Sequence, residues 1–265
     1  MGCTRLVYNR ALAARTEAWY ERQERVGYSE TSRMLTDWKK QEDWQFLGEV
    51  SSVPQQGLRH RQTAFSNFFA GWAKYPNFKK KHNGGSAEFT SSAFRFRDGQ
   101  VFLALSPEPL AIRWSRQLPK NAEPSTITVK LSPSGRWTVS LLVDIEIETL
   151  PESPNQIGWD LGITSLIALS NGEKVANPQA FKAKRRKLRQ AQKALIRKQK
   201  GSKNREKARL KVAQVHAEIS DARKDFLHKL TTRLVRENQT IAVEDLAGSN
   251  MIKNRKLALS ISDAS

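Results

Sequence analysis

Apolar residues in the first 75 positions recur at helical spacing. Leu6, Asn9, Ala13, Thr16 and Tyr20 follow one another at steps of three or four, which predicts one face of a helix. Gly27-Tyr28-Ser29 interrupts this pattern, and Ser29 is a candidate cap for a second helix carrying Met34, Leu35 and Trp38. A third helix is predicted after Pro54, and we interpret its apolar residues as core in preference to ligand-stacking groups: Leu58, Phe65, Phe68, Phe69 and Trp72.

From residue 76 to residue 150 the pattern changes to short alternating or aromatic runs between turn residues. Asp98-Gly99 and Ser134-Gly135 are typical of hairpins. Several short strands at regular spacing predict a small β-barrel or sandwich. The strands are expected at Glu88–Arg97, Gln100–Leu105, Leu110–Trp114, Ser125–Leu131 and Trp137–Ile147, followed by a linker at Pro151, Ser153 and Pro154.

The last segment, 155–265, mixes strands with long helices. Strands at Ile157–Ile163 and Leu166–Ser170, with a turn at Asn171-Gly172 into a third, predict a β-meander. Helical periodicity runs from Phe181 to about Asn238 and is broken at Gly201-Ser202, which predicts two antiparallel helices. The second helix carries a stripe of Val215, Ile219, Ala222, Phe226, Leu230 and Leu234, and Thr240–Leu246 is the next strand. The fold class is therefore α+β with several domains.

A net charge of +19 among 265 residues favours nucleic acid as partner. A membrane surface is less favoured because no apolar anchor or signal peptide is present, and a cytoplasmic location is expected. The single cysteine, Cys3, excludes a disulfide framework and a zinc ribbon built from paired cysteines in this chain.

The positive charge is concentrated in the stretch 182–211, which has fifteen Lys or Arg residues and one acid, Glu206. Such runs are often only solvated helical faces, but this excess is more than solubility requires, so contact with a nucleic-acid backbone is preferred. The candidate nucleic-acid contacts are Lys79, Lys80, Lys81, Lys184, Arg185, Arg186, Arg189, Arg197, Lys198, Lys203 and Arg205.

Two acids lie in or at the end of apolar strands. Asp160 interrupts the run 157–163, and Glu244 ends the run 241–243. If the two strands are neighbours in a sheet, the carboxylates converge and form a candidate catalytic and Mg²⁺ site for phosphodiester chemistry. The alternative is that each acid simply faces solvent at a strand end. Asp245 is expected on the opposite side of its strand from Glu244, as support.

Several motifs together resemble the TnpB (OrfB) family of nucleases encoded by bacterial insertion sequences. The sequence Gly158-Trp159-Asp160-Leu161-Gly162-Ile163 resembles the family's first RuvC-like motif, and Ile241-Ala242-Val243-Glu244-Asp245-Leu246 resembles the second. Further resemblance covers Gly2–Asn9, Pro76–Lys81, Met251–Ala258 and Ser260–Ala264.

This resemblance implies an RNA-guided DNA endonuclease that cuts with Mg²⁺. Its partners would be DNA and a guide RNA from the transposon end. It implies a helical recognition region over 1–75, a wedge-like, OB-type β-barrel over 76–150 and a RuvC-like RNase H-fold domain over 155–265 with a long basic helical hairpin.

The chain also departs from the family pattern. The family carries a third acid, an Asp after a zinc ribbon, and a strand before the segment that begins here at Gly2; none of these is in the sequence, and Asp263 is not a substitute. We therefore expect an incomplete RNase H-like domain in which two carboxylates hold one Mg²⁺ weakly. A nuclease-dead, RNA-guided DNA-binding protein is the alternative, and an unrelated basic RNA-binding protein ranks below both.

Overall fold

The computed structural model describes residues 1–50, 52–119, 122–146, 149–162, 164–254 and 257–264. The chain divides into two compact units, Met1–Glu146 and Ile147–Ser265. Four residues of the predicted strands and motifs lie outside the described residues. They are Ile147 and Ile163, which end two of the predicted strands, and Arg255 and Lys256 of the motif that follows Glu244. None of the described helices is long and apolar enough to cross a membrane.

Three helices form the first part of the first unit, as the sequence predicted. They are α1 (Gly2–Arg22), α2 (Tyr28–Lys40) and α3 (Val53–Phe69), with a 3-10 helix at Glu42–Val50. Their core joins Val7, Ala11, Leu35, Trp38, Leu47 and Leu58. The predicted inner face of α1 was wrong, because Tyr20 is 74% exposed whereas Val7, Ala11 and Leu12 are buried. The cap of α2 is Gly27, whose N–H donates to the Glu30 carboxylate at 2.9 Å, and not Ser29.

A buried arginine links the three helices. Arg61 of α3 is fully buried, and its guanidinium donates to the carbonyl oxygens of Ala11 and Gly27 and to the Thr31 hydroxyl, at 3.2, 3.1 and 2.7 Å. Its Nε has no hydrogen-bond partner. Burial lowers the pKa of Arg61 to about 10, and the nearby Arg15 charge acts in the same direction.

The interpretation of all the α3 aromatics as core was wrong for two of them. Phe65 is 2% exposed, but Phe69 and Trp72 are 72% and 83% exposed. The helix ends at Phe69, and Gly71 adopts φ 76° so that the chain turns. The helical spacing that the sequence suggested therefore does not extend to Trp72.

Five short strands follow in the same unit: β1 (Gly85–Thr90), β2 (Phe94–Arg97), β3 (Gln100–Leu103), β4 (Thr126–Leu131) and β5 (Trp137–Leu142). They form an antiparallel sheet of order β1-β4-β5 and a β2-β3 hairpin. Both predicted hairpin turns are present, with positive φ at Asp98, Gly99 and Gly135. Among the described residues these strands do not close into a barrel.

Two strand predictions in this region were wrong in detail. The run Glu88–Arg97 is divided by a 3-10 turn at Ser91–Ala93. The segment 110–114 is not a strand, since Pro109 precedes it and a single backbone bond, from Leu110 N to Val101 O, ties it to β3. Its apolar residues nevertheless pack on the core around Val101 and Ile127.

The second unit begins with the predicted meander. It contains β6 (Gln156–Leu161), β7 (Ser165–Leu169), β8 (Lys174–Ala176), α4 (Ala180–Ile196), α5 (Lys203–Glu237), β9 (Thr240–Val243), α6 (Gly248–Met251) and α7 (Ala258–Ala264). The sheet order is β8-β7-β6-β9, with β9 parallel to β6 and the other pairs antiparallel. The observed fold is thus α+β, and the condition stated for the two acids, that their strands are neighbours in one sheet, is met.

The apolar stripe of α5 has two partners along its length. Its first half, through Val215 and Ile219, packs on Leu188 of α4. Its second half, through Leu230 and Leu234, packs on Ile157, Leu166 and Leu169 of the sheet, with Phe226 at the edge. One long helix therefore fixes the helical hairpin relative to the sheet, because the same rigid element belongs to both cores.

Candidate metal site and nucleic-acid interface

The candidate metal site lies where the two parallel strands end. Ile157 pairs with Ile241, Gly158 with Ala242 and Trp159 with Val243. Asp160 is the next residue of β6, and Glu244 directly follows the last residue of β9. In a parallel pair, residues at the same register extend from the same face of the sheet, on strands about 4.8 Å apart. The pairing therefore brings the two predicted carboxylates together at one edge.

The face of the sheet that carries these acids is the one away from α5. Ile157 and Trp159 pack toward α5, so Gly158 and Asp160 point to the other side. Asp160, Glu244 and Ala242 are all exposed. This exposure agrees with the alternative that each acid faces solvent at its strand end, because no described element covers this face of the strands.

An exposed pair of carboxylates fits the donor set of Mg²⁺, which prefers carboxylate oxygens and keeps several of its waters. Among the described residues, no group of three or more His, Cys, Asp or Glu side chains is placed to hold a metal ion. Asp160 and Glu244 remain the candidate ligands at this sheet edge.

Two residues after Asp160, the backbone at Gly162 lies close to the carbonyl oxygen of Ser165. A side chain at Gly162 would place its Cβ 2.8 Å from the carbonyl oxygen of Ser165. The Gly162 N–H in turn donates to the Leu166 carbonyl at 3.1 Å. The glycine thus permits the tight return from β6 to β7, which fixes the direction of β6 at Asp160, next to the end of the strand.

The basic stretch forms the predicted antiparallel hairpin of α4 and α5. Gly201 adopts φ 83° at the turn, and the Ser202 hydroxyl accepts from the Arg205 N–H at 3.1 Å to start α5. The Arg205 guanidinium donates to the carbonyls of Leu195 and Lys198, at 3.0 and 2.8 Å. Arg205, proposed from sequence as a nucleic-acid contact, is thus engaged in closing the hairpin.

Lys184 is also engaged within the protein. Its ammonium lies 3.3 Å from the Glu218 carboxylate of α5, and that of Lys187 lies 2.7 Å from the same group. These hydrogen bonds and charges lower the pKa of Glu218. The acid therefore neutralises part of the positive charge on the side of α4 that faces α5.

The other predicted contacts of the hairpin are exposed. Within the part of the chain that the structure describes, their side chains make no ion pair or hydrogen bond: Arg185, Arg186, Arg189, Arg197, Lys198 and Lys203. Arg185, Arg189 and Arg197 lie on one row of α4 with Lys193, at steps of four residues, or about 6 Å along the axis. Leu188, which faces α5, is buried. A row of cations on the outer side of α4 matches a phosphate backbone better than a small ligand.

The second basic run lies in the first unit. The Lys79 ammonium is 4.1 Å from the centroid of the Tyr8 ring, and partial burial there lowers its pKa. Asn9 accepts from the Lys79 N–H and donates to its carbonyl, at 2.8 and 2.9 Å. Lys80 and Lys81 are exposed. Lys79 thus has a role in docking this segment on α1, whereas its two neighbours extend into solvent.

Asp263 has a role that the sequence did not reveal. Its carboxylate accepts from the backbone N–H groups of Phe181 and Lys182, at 2.7 and 3.0 Å, and lies 3.3 Å from Arg223 of α5. Helix α4 has no capping side chain of its own, since Gln179 precedes it with φ 47°. The lack of a capping residue before Ala180 is the sequence feature from which a cap supplied by a distant acid could have been predicted.

Two parts of the chain match known protein families. Residues 138–255 match the IS605 OrfB family described as "Probable transposase". Residues 1–24, which include α1, match the "Helix-turn-helix domain" of the same family.

Curated relatives agree with these matches. A protein of Streptomyces pristinaespiralis named "Putative RNA-guided DNA endonuclease" is 58% identical over 99% of this chain and 66% of its own length. InsQ of Escherichia coli K12, which has the same description, is 31% identical over 96% of this chain and 63% of its own length. A Mycobacterium tuberculosis relative with that description is 28% identical over 69% of this chain and 43% of its own length. The chain thus spans about two thirds or less of the relatives it matches.

Proposed function

The chain belongs to the IS605 OrfB family, and on that premise we propose that it acts in RNA-guided cleavage of DNA. The parallel pairing of β6 with β9 is the observation that carries this proposal, because it brings Asp160 and Glu244 to one sheet edge. The sheet order β8-β7-β6-β9 supports assignment of the second unit to the RuvC-like RNase H fold. The three-part organisation, with a helical recognition region and a wedge-like β region in the first unit, is part of the same proposal.

In this proposal Asp160 and Glu244 hold Mg²⁺, which supplies charge stabilisation at the scissile phosphodiester when bound. The exposed row on α4 binds the backbone of a nucleic acid, with sequence selection left to base pairing with a guide RNA from the transposon end. The open face beside Asp160 gives a phosphodiester access to the carboxylates. The two faces of the sheet differ, since α5 covers one and the other carries the exposed acids. This difference supports a structural role for the first face and a metal-binding role for the second.

A second candidate function is RNA-guided DNA binding without cleavage. It is favoured by one observation, namely that the described residues bring two carboxylates together and no third metal-ligand group with them. A pair of acids holds one ion, whereas in-line cleavage by two ions needs further ligands.

Plasmid cleavage separates the two functions. The chain is mixed with RNA transcribed from its genomic flank and with plasmid carrying the matching target, in Mg²⁺ or in EDTA. Mg²⁺-dependent cleavage that is lost in Asp160→Ala and Glu244→Gln, but kept in the exposed control Asp225→Asn, supports the nuclease. Salt-dependent RNA binding without cleavage by the wild-type chain supports the second function. Absence of RNA binding at low salt contradicts both.

A further inference from the structure

Two aromatic side chains at the end of α3 extend into solvent from a rigid aromatic base. Phe69 and Trp72 are 72% and 83% exposed. Beneath them, Tyr75 meets Phe65 and Phe68 edge-on, with ring centroids 5.4 and 5.3 Å apart. Phe69 in turn lies 5.2 Å from Phe68. Aromatic pairs in these arrangements hold each other in place, so the outer ring of Phe69 is presented on an ordered base.

Further contacts fix this base to α1. The Tyr75 hydroxyl is 2.8 Å from the Thr16 hydroxyl. The Arg15 guanidinium lies 3.8 Å from the centroid of Phe65 and 6.0 Å from that of Phe69, which puts a cation directly against the cluster. Presentation of the Phe69 ring therefore depends on contacts from two helices, so part of the entropic cost of ordering this ring is met before any ligand binds.

The charge around these rings is positive. Lys74, two residues after Trp72, is exposed and makes no ion pair among the described residues. By contrast, the exposed Trp19 and Tyr20 on α1 have Glu17 and Glu21 beside them in the sequence. An anionic ligand is thus favoured at the α3 end and disfavoured at the α1 end.

We propose that Phe69 and Trp72 stack on unpaired nucleotides of the bound RNA while Lys74 contacts their phosphates; these three residues are here called the α3 terrace. Open aromatic faces beside cations are the means by which proteins hold single strands, because every base offers a π-face and every nucleotide a phosphate. A paired base cannot be used in this way, since both of its faces are occupied by its neighbours in the helix. The proposal rests on the proposed function for the presence of RNA.

RNA, and not DNA, is assigned as the occupant because it is the permanent partner in that function. Large exposed apolar rings are an aggregation hazard unless they are covered. A guide RNA stays bound between DNA-cutting events and can cover them throughout, whereas a displaced DNA strand is present only during an event. Unpaired loops and ends of RNA are also the regions whose bases are free to stack on aromatic side chains.

Fluorescence anisotropy with three labelled probes tests the terrace: a 12-nucleotide oligoadenylate RNA, the DNA oligomer of the same sequence, and a blunt 12-base-pair RNA duplex. Trp72→Ala is expected to weaken binding of the single-stranded RNA roughly 5- to 100-fold. Duplex binding stays within about twofold of wild type, because it uses the basic hairpin. Trp72→Tyr retains stacking and keeps most of the affinity. Trp137→Ala is the matched control, since Trp137 is 60% exposed on β5, and it should change neither affinity.

Ultraviolet crosslinking gives an independent readout. Cleavage after Arg61 and Lys74 releases residues 62–74 as one tryptic peptide, and this peptide should carry crosslinked RNA in wild type and lose it in Trp72→Ala. Three outcomes would overturn the proposal. Trp72→Ala could weaken binding of single-stranded and duplex RNA equally, or weaken binding of the DNA oligomer more than that of the RNA. Trp137→Ala could also weaken binding of the single-stranded RNA as much as Trp72→Ala does. Salt-dependent duplex binding without a Trp72 effect overturns the terrace alone, whereas absence of all RNA binding removes the proposed function as well.

Discussion

The carboxylate of Asp263 accepts a hydrogen bond of 2.7 Å from the backbone N–H of Phe181, across 82 positions of sequence. A side chain of α7 thereby caps α4, and its contact with Arg223 extends the connection to α5. The segment after Glu244 thus holds the start of α4 against α5, so the chain contacts the basic hairpin both before and after β9.

Replacing Asp263 with Ala is expected to lower the free energy of unfolding by about 1–3 kcal/mol, since it removes a helix cap and leaves a half-buried arginine unpaired. Urea unfolding measures this change. Hydrogen exchange should quicken at the amides of Phe181 and Lys182 while the amide of Val215 stays protected. In the control Asp225→Ala, which removes the exposed ion pair with Lys229, the loss should stay within about 0.5 kcal/mol. Unchanged exchange at Phe181 would show that the cap does not hold α4.

The outer row of α4 predicts a salt dependence of nucleic-acid binding. Changing Arg185, Arg186 and Arg189 together to Gln should make the slope of log K against log salt less steep by about 2–3 for duplex DNA, because each phosphate that a cation neutralises contributes about 0.9 to that slope. The fold should be unaffected because these side chains are exposed.

Arg205→Gln is the matched control within the same hairpin. Because its guanidinium is bound to two carbonyls of the turn, this variant should lower the free energy of unfolding by about 1–2 kcal/mol and leave the salt slope nearly unchanged. The reverse pattern would mean that Arg205 contacts phosphate and the outer row does not.

Arg61 predicts an unusual order of variant stabilities. Arg61→Lys keeps a buried charge but loses the guanidinium hydrogen bonds to Ala11, Gly27 and Thr31. The free energy of unfolding should therefore fall by about 3–5 kcal/mol. Arg61→Met loses the same hydrogen bonds but also removes the charge that has no carboxylate partner, so its loss should be smaller, about 1–2 kcal/mol. Denaturant unfolding ranks the two. A more stable Lys variant would contradict the view that desolvation dominates at this position.

Glu30 predicts a pH dependence of the helical region. Hydrogen bonds from its own N–H and from that of Gly27 lower the pKa of Glu30, so the folded chain favours the carboxylate more than the unfolded chain does. Its contribution is then fully present above the unfolded pKa of about 4.3 and is lost as pH falls through the lower folded value. The stability difference between wild type and Glu30→Ala should shrink between about pH 5 and pH 3 when unfolding is measured at each pH. A difference that grows as the pH falls through this range would contradict the capping role of the Glu30 carboxylate.

The sequence predicted the strands that carry Asp160 and Glu244 because apolar runs, turn residues and the helical break at Gly201 are local signals. That these strands are neighbours was only a condition of the metal-site prediction, because pairing across about 80 residues has no local signal. Whether the acids face solvent was left open, since exposure depends on what covers a sheet face. The cap by Asp263 was missed because no local pattern connects residues more than eighty positions apart. Arg205 looked like any other cation of its run, and only the position of the turn shows that its guanidinium is taken by backbone carbonyls.

The α3 aromatics show a different limit. Spacing identified Phe65 correctly as core, but the same spacing continued past the end of the helix, where Gly71 changes the direction of the chain. Periodicity carries information about a face only while the helix lasts. The prediction that Phe69 and Trp72 are core residues therefore failed. The same two side chains form the candidate RNA surface.

The parallel pairing of β6 with β9 also has a kinetic consequence. Parallel neighbours cannot be joined by a tight turn, and here about 80 residues separate Ile157 from its partner Ile241. The meander and the helical hairpin form from local contacts, whereas β9 can add only after the intervening chain has closed into a loop, which makes its docking the slow event of assembly. We therefore expect Asp160 and Glu244 to come together last, after the cationic face of the helical hairpin has formed.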